Sequence, residues 1–179
     1  MTKKQALLKA AEGKVRQGGY SNFSFRELAA EVGIKSASVH YHFPTKADLG
    51  AELAKQYTDA FLDALGDPQT LLKNGEDPIA LYAKLFRQAL INDNKMCLCG
   101  LLGAETDSLP EKVQRETKLF FERNLEWLKS AHSLQDQVSP QEALVKAVHT
   151  VSLLEGAMMI SKAVNDNDFF DHALESMKS

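Results

Sequence analysis

The residues from Lys35 to Lys46 carry the groups with the clearest chemistry in this 179-residue chain. If Val39 faces inward as an anchor, a helix starting near Lys35 presents Lys35, Ser36, Ala37, Ser38 and His40 outward. Their amine, hydroxyl, imidazole and methyl groups suit the donor, acceptor and methyl pattern of a DNA major groove. Tyr41, His42 and Lys46 fall where such a helix leaves the groove, and they suit phosphate oxygens, which position a protein without reading sequence. Ser24 and Arg26, at the start of the preceding helix, complete the candidate DNA contacts. His40 and His42 stand two apart on a helix, so a shared zinc ion is not expected there, and no metal or other cofactor is expected elsewhere.

Cys97 and Cys99 are the second candidate chemistry. Helical neighbours two apart point about 200° from each other, so the pair is not expected to chelate a metal or to close a disulfide. One thiol should be buried and the other more exposed. If the exposed thiol sits in the first turn of a helix beside Lys95, the helix dipole and the ammonium favour thiolate, the form that senses electrophiles or oxidants. The plainer reading makes both cysteines small apolar filler. A thiol enzyme using His132 or His149 would need a glycine-framed nucleophile, a metal constellation or a phosphate loop. None is present, and no enzymatic activity is expected.

The elements that position the first group can be read from local signals. Ser24 and Glu27 form a capping box, and Phe23 and Leu28 flank it as a hydrophobic staple, so a helix starts at Phe25. Gly33 ends that helix where the chain crosses into left-handed backbone space. A second helix spans Lys35 or Ser36 to His42 and stops at Phe43-Pro44. Thr45 and Asp48 repeat the cap for a third. Helix, glycine turn and short helix make a helix-turn-helix, whose second helix enters the major groove. The alternative for the same pattern is plain helix packing.

This segment resembles the DNA-binding end of the tetracycline-repressor (TetR) family. The resemblance lies in Phe25-Arg26-Glu27-Leu28-Ala29, Val32-Gly33-Ile34, Ser38-Val39-His40-Tyr41-His42-Phe43 and Lys46-Ala47-Asp48-Leu49, preceded by Gly18-Gly19-Tyr20. It covers about the first third of the chain. It implies an all-α fold, with an N-terminal three-helix bundle holding the helix-turn-helix and a C-terminal helical domain for ligand binding and dimerisation. The implied function is a homodimeric repressor that leaves double-stranded operator DNA when a small apolar or aromatic inducer binds. The family often has an aromatic residue where this chain has His40.

Composition sets further bounds. The net charge of −3 is unevenly placed: residues 1–50 hold eight Lys or Arg and four Asp or Glu, whereas the remainder holds thirteen basic and twenty acidic residues. That asymmetry is expected when one end approaches phosphates. No apolar run approaches the roughly 18 residues that span a bilayer, and MTKKQALLKA lacks a signal-peptide core, so a cytoplasmic protein without membrane contact is expected. Residues 1–50 are expected to form the DNA-binding domain and 51–179 the helical body.

Periodicity predicts about nine helices in all. Thr2 and Gln5 open the first, which ends at Gly18-Gly19. A long helix runs from Thr45 to Gly66-Asp67-Pro68, and others start at Asp77-Pro78, Met96, Pro110 and the Ser139-Pro140-Gln141-Glu142 box. The last spans Asp168 to Lys178. Tyr82, Phe86, Met96, Cys97, Leu101, Phe120, Trp127 and Met158, with Phe121 and Met159 nearby, could line an apolar pocket. Glu105, Asn124, His149 or Glu155 would be its sparse polar anchors. The bland reading of that stripe is core. The helices from Pro140 to Val164 and from Asp168 onward carry more apolar surface than one stripe, and the resemblance implies that they pair with their copies as a four-helix interface. Burial within one chain is the alternative.

Overall fold

The computed structural model describes residues 1–177 and is all-α. Among the described residues there are ten α-helices, no strand, and two 3₁₀ turns at Tyr20–Asn22 and Thr106–Ser108. In chain order the helices are α1 (Lys3–Gly18), α2 (Phe25–Val32), α3 (Ser36–His42), α4 (Lys46–Leu65), α5 (Pro68–Lys73), α6 (Pro78–Asp93), α7 (Leu98–Ala104), α8 (Glu111–Asp136), α9 (Pro140–Val164) and α10 (Asp168–Ser176). Nine answer to the segments expected from periodicity. The tenth, α5, is six residues long. It is held by Asp67, whose side chain accepts from the Thr70 N–H at 2.8 Å, and by Pro68 in its first turn. Lys178, the expected end of the last helix, lies outside the described residues.

Local caps account for most helix ends. Thr2 and Gln5 close a reciprocal capping box on α1, and Ser139 and Glu142 close another on α9. Gly33 ends α2 in the left-handed region, at φ 69° and ψ 45°, and the Ile34 N–H reaches back to the Ala29 carbonyl at 2.9 Å.

The chain divides into two compact units, one formed by Met1–Asp59 with Leu98–Phe120 and the other by Ala60–Cys97 with residues 121 onward. In the first, α1 packs on α2 and α2 on α3. Its core gathers Leu7, Leu8, Ala11 and Val15 of α1, Leu28 and Ala29 of α2, Val39 of α3, and Leu49 and Leu53 of α4. Each of these larger side chains stabilises the unit by about 1.5–3 kcal/mol through burial.

The second unit is built around an aromatic cluster. Tyr82 of α6 stacks on Phe86 with centroids 5.3 Å apart, meets Phe61 edge-on at 5.3 Å, and lies 5.7 Å from Trp127. Its hydroxyl donates to Asn124 Oδ1 at 2.8 Å, which satisfies a phenol that is otherwise sealed from water. Arg87 forks onto Asp171 at 2.6 and 2.8 Å and so ties α6 to α10.

Helix α9 buries Ala143, Ala147, Val151, Leu154 and Met158, yet it also exposes Val145, Val148, Met159, Ile160 and Val164. It is therefore long and apolar enough, by length and composition, to cross a membrane. Glu142, Lys146, Glu155 and Lys162 interrupt the helix, so no unbroken apolar run in it approaches roughly 18 residues, as the sequence led us to expect. The excess arises because two faces of one helix are apolar, the inner one packed in its own unit and the outer one uncovered.

Candidate nucleic-acid interface

Helix α3 has seven residues and a single buried side chain, Val39, with no exposed surface at all. Lys35, Ser36, Ala37, Ser38, His40 and Tyr41 are all exposed, as are Ser24 and Arg26 at the start of α2. A helix this short has little stability of its own. Docking of Val39, the Gly33 turn before it and the Phe43 N–H returned to the Val39 carbonyl at 2.8 Å hold it in place. Its outer face is left free of the fold's own packing.

His40 is exposed but oriented. Its ring meets Phe25 edge-on at 5.0 Å, and its Nδ1 lies 3.3 Å from the Pro44 carbonyl oxygen. If that nitrogen carries the proton, Nε2 is turned outward as an acceptor. Tyr41 is 87% exposed, the second most exposed large apolar side chain among the described residues after Met1. It touches the half-buried His42 ring at 5.2 Å.

Lys46 differs from the others. It is half-buried at the start of α4, with its Nζ 4.3 Å from the Phe23 ring centroid and 4.8 Å from that of Tyr20. Burial draws its pKa below the ordinary lysine value, opposed by the charges of Glu27 and Glu105. Two aromatic faces thus orient the ammonium.

The frame under this surface includes a residue whose role the sequence did not reveal. Glu105, at the end of α7, accepts the Tyr20 N–H on Oε2 at 2.9 Å, and a Cβ on Gly19 would lie 1.8 Å from its Oε1. Gly19 has φ 79°. The carboxylate therefore clamps the hinge between α1 and α2, where only glycine leaves room for it. Glu105 is 85 residues from Tyr20, and nothing local announces the pair.

The ten residues expected to line a ligand pocket are spread over the fold. Tyr82, Phe86, Asn124 and Trp127 come together in the second unit through the contacts given above. Met96, Cys97 and Met158 belong to the same unit, and the Cys97 N–H points at Met158 Sδ, 3.0 Å away. Leu101, Glu105 and Phe120 belong to the first unit, where Phe120 lies 6.1 Å from Tyr57. Glu155 has a sealed Oε1 without a hydrogen-bond partner. Burial pushes its pKa up to about 7, with a hydrogen bond from Cys97 acting the other way.

Both cysteines are buried, which corrects the expectation of one exposed thiol. Helix α7 begins at Leu98, so Cys97 lies in the segment leading into it and the 200° relation does not apply. Among the described residues no group of three or more His, Cys, Asp and Glu is placed to hold a metal ion.

Residues 7–53 match the family profile described as bacterial regulatory proteins, tetR family. A TetR transcriptional regulator from Legionella pneumophila is similar over 99% of this chain and 96% of its own, with 31% identity and a TM-score of 0.91. A TetR-family regulator from Agrobacterium tumefaciens shares 26% identity over 98% of this chain and 95% of its own, with a TM-score of 0.80. The reduced form of E. coli NemR, at 21% identity, 99% and 96% coverage and a TM-score of 0.81, shares the fold. No curated protein sequence matches the chain.

Proposed function

Because the chain belongs to the TetR family of DNA-binding transcriptional regulators, we propose that it is a dimeric repressor released from its operator by a small apolar or aromatic inducer. Residues 1–50 form the DNA-binding region in this reading, and 51–179 the ligand-binding and dimerisation region. The observation that carries it is the outer face of α3, which buries Val39 as its one core side chain and presents Lys35, Ser36, Ala37, Ser38 and His40. Two copies place these faces in successive major grooves of a near-palindromic operator, about 34 Å apart.

Base edges are read by Ser36, Ser38 and His40, with Lys35 and Ala37 beside them. Tyr41, His42, Lys46, Arg26 and Ser24 set the register on phosphates. The second copy docks on the uncovered apolar face of α9, with Val145, Val148, Met159 and Ile160, and on Phe169 of α10. A two-fold axis there makes the contact self-complementary.

The inducer enters the body near Tyr82, Phe86, Asn124 and Trp127. Helix α4, which contributes to both units, carries the change to the DNA-binding end. Coupling of this kind is about 1–3 kcal/mol, roughly 5–150-fold in operator affinity. The burial of both thiols favours this reading over electrophile sensing by Cys97 or Cys99.

Selection of bound duplexes from a random pool, followed by gel shifts over a salt series, tests the proposal. A repressor of this kind enriches a near-palindrome, and its log affinity falls linearly with log salt by about 0.9 per phosphate neutralised. Recovery of an unenriched pool, or affinity indifferent to salt, overturns it.

A further inference from the structure

A groove of about 560 Å³ opens on the second unit, walled by α6, the end of α8, the start of α9 and α10. The size falls within the roughly 300–1,000 Å³ of small-molecule sites. Ile79, Ala80 and Ala83 of α6 give it an apolar lining, with Leu174 and Met177 facing them. The groove lies apart from the aromatic cluster around Tyr82, and none of the residues assigned to DNA or inducer lines it.

The charged side chains in its wall differ in whether their bonding capacity is already used. Asp77 caps α6, accepting the Ala80 N–H at 2.9 Å. Asp136 accepts from Lys146 Nζ at 2.8 Å and faces His132 Nδ1 at 3.0 Å. Asp136 is thus paired with a cation, whereas Asp77 gives one oxygen to the helix cap and forms no ion pair among the described residues. Arg87 gives Nε and one Nη to Asp171, which leaves its other Nη without a partner among the described residues. Lys84, one turn earlier on α6, is exposed and makes no ion pair or hydrogen bond among them. On the opposite wall Gln135 Oε1 is sealed from solvent and accepts nothing.

What remains is one free ammonium, Lys84, and the spare N–H groups of the paired Arg87, beside an apolar floor. From this we infer that the groove binds a small amphipathic carboxylate. Its head lies between Lys84 and Arg87, where charge-assisted hydrogen bonds are stronger than neutral ones, and its apolar body runs over Ala80, Ala83 and Leu174. An alkylamine lacks the acceptor oxygens that the Lys84 ammonium and the spare Arg87 N–H groups call for, and an alcohol offers no charge to Lys84.

Calorimetric titration of the full-length protein with octanoate, octanol and octylamine tests the inference. Octanoate binds in the millimolar range or tighter, and the other two bind at least about tenfold more weakly. Lys84→Glu reverses the free charge and Ala80→Trp fills the groove from an exposed alanine. Each weakens octanoate about tenfold or more, while thermal unfolding and operator gel shifts stay as in the parent chain. Absence of octanoate binding, equal binding of octanol or octylamine, or undiminished octanoate binding in both variants overturns it. Because operator binding is followed in the same variants, failure here is distinguishable from failure of the repressor reading.

Discussion

The Lys46 ammonium stands 4.3 Å from the centroid of the Phe23 ring, so this cation rests on a side chain that is itself buried in the core. Its charge is positioned before any DNA arrives, which limits the side-chain ordering that binding must otherwise impose.

Lys46→Ala therefore weakens binding to all duplexes about equally and lowers the slope of log affinity against log salt by about 1, whereas His40→Ala and Ser36→Ala change which sequences are enriched. Parallel selections from one random pool, with salt series on the winning duplex, check the division of roles. Identical enrichment profiles for all three variants would remove it.

Gly33 and Gly50 separate conformational strain from steric collision. A Cβ on Gly33 meets nothing within 4 Å, so Gly33→Ala costs only the left-handed backbone penalty of roughly 1–2 kcal/mol. At Gly50 a Cβ would lie 2.7 Å from the Tyr20 ring and 3.1 Å from Val113 Cγ2. Gly50→Ala must push aside the ring that Lys46 rests on, at an overpacking cost of about 1–3 kcal/mol, and it loses more DNA affinity than Gly33→Ala. Denaturant melts and gel shifts on the two variants give the comparison.

Glu155 gives the fold a pH dependence of definite sign. Its carboxyl titrates near 7 in the folded chain because it is buried, against about 4.5 when unfolded. Between those values the unfolded chain has lost the proton and the folded one keeps it, so stability falls as pH rises through the window and levels off above about 7. The loss across the whole window is on the order of 3 kcal/mol. Glu155→Gln removes this share of the slope. Urea melts at pH 5 and pH 8 on both chains isolate it from the contribution of histidines, which the two chains share.

The exposed stripe of α9 is expected to hold two copies together. Ile160 is 52% exposed in a single chain, and Ile160→Asp places a charge where the proposed partner's apolar face must dock. Sedimentation equilibrium should show the parent chain as a dimer and the variant as a monomer that keeps its helical circular dichroism and loses operator binding. A variant that remains dimeric places the interface elsewhere.

How much of this could be read beforehand depended on whether the signal was local. The boxes at Thr2/Gln5 and Ser139/Glu142, the Ser24 cap and the Gly33 stop are each written within four residues, and the structure places helix ends at all of them. Helix α5 has its own cap at Asp67-Pro68, but six residues are too few to show an apolar period. The cysteine argument failed through a shift of two residues, since α7 starts at Leu98 and not at Met96. The Glu105 clamp on Tyr20 and the Lys84–Arg87 groove join residues tens of positions apart, and only packing brings them together.

Two-sided apolarity in α9 also sets a condition on abundance. In the proposed dimer, a newly made chain holds Ile160 and its neighbours against water until it meets a second copy, and that encounter scales with the square of the chain concentration. If operator binding needs the proposed pair, few chains leave the DNA unoccupied, and occupancy rises steeply with synthesis, a threshold written into a helix of the other unit.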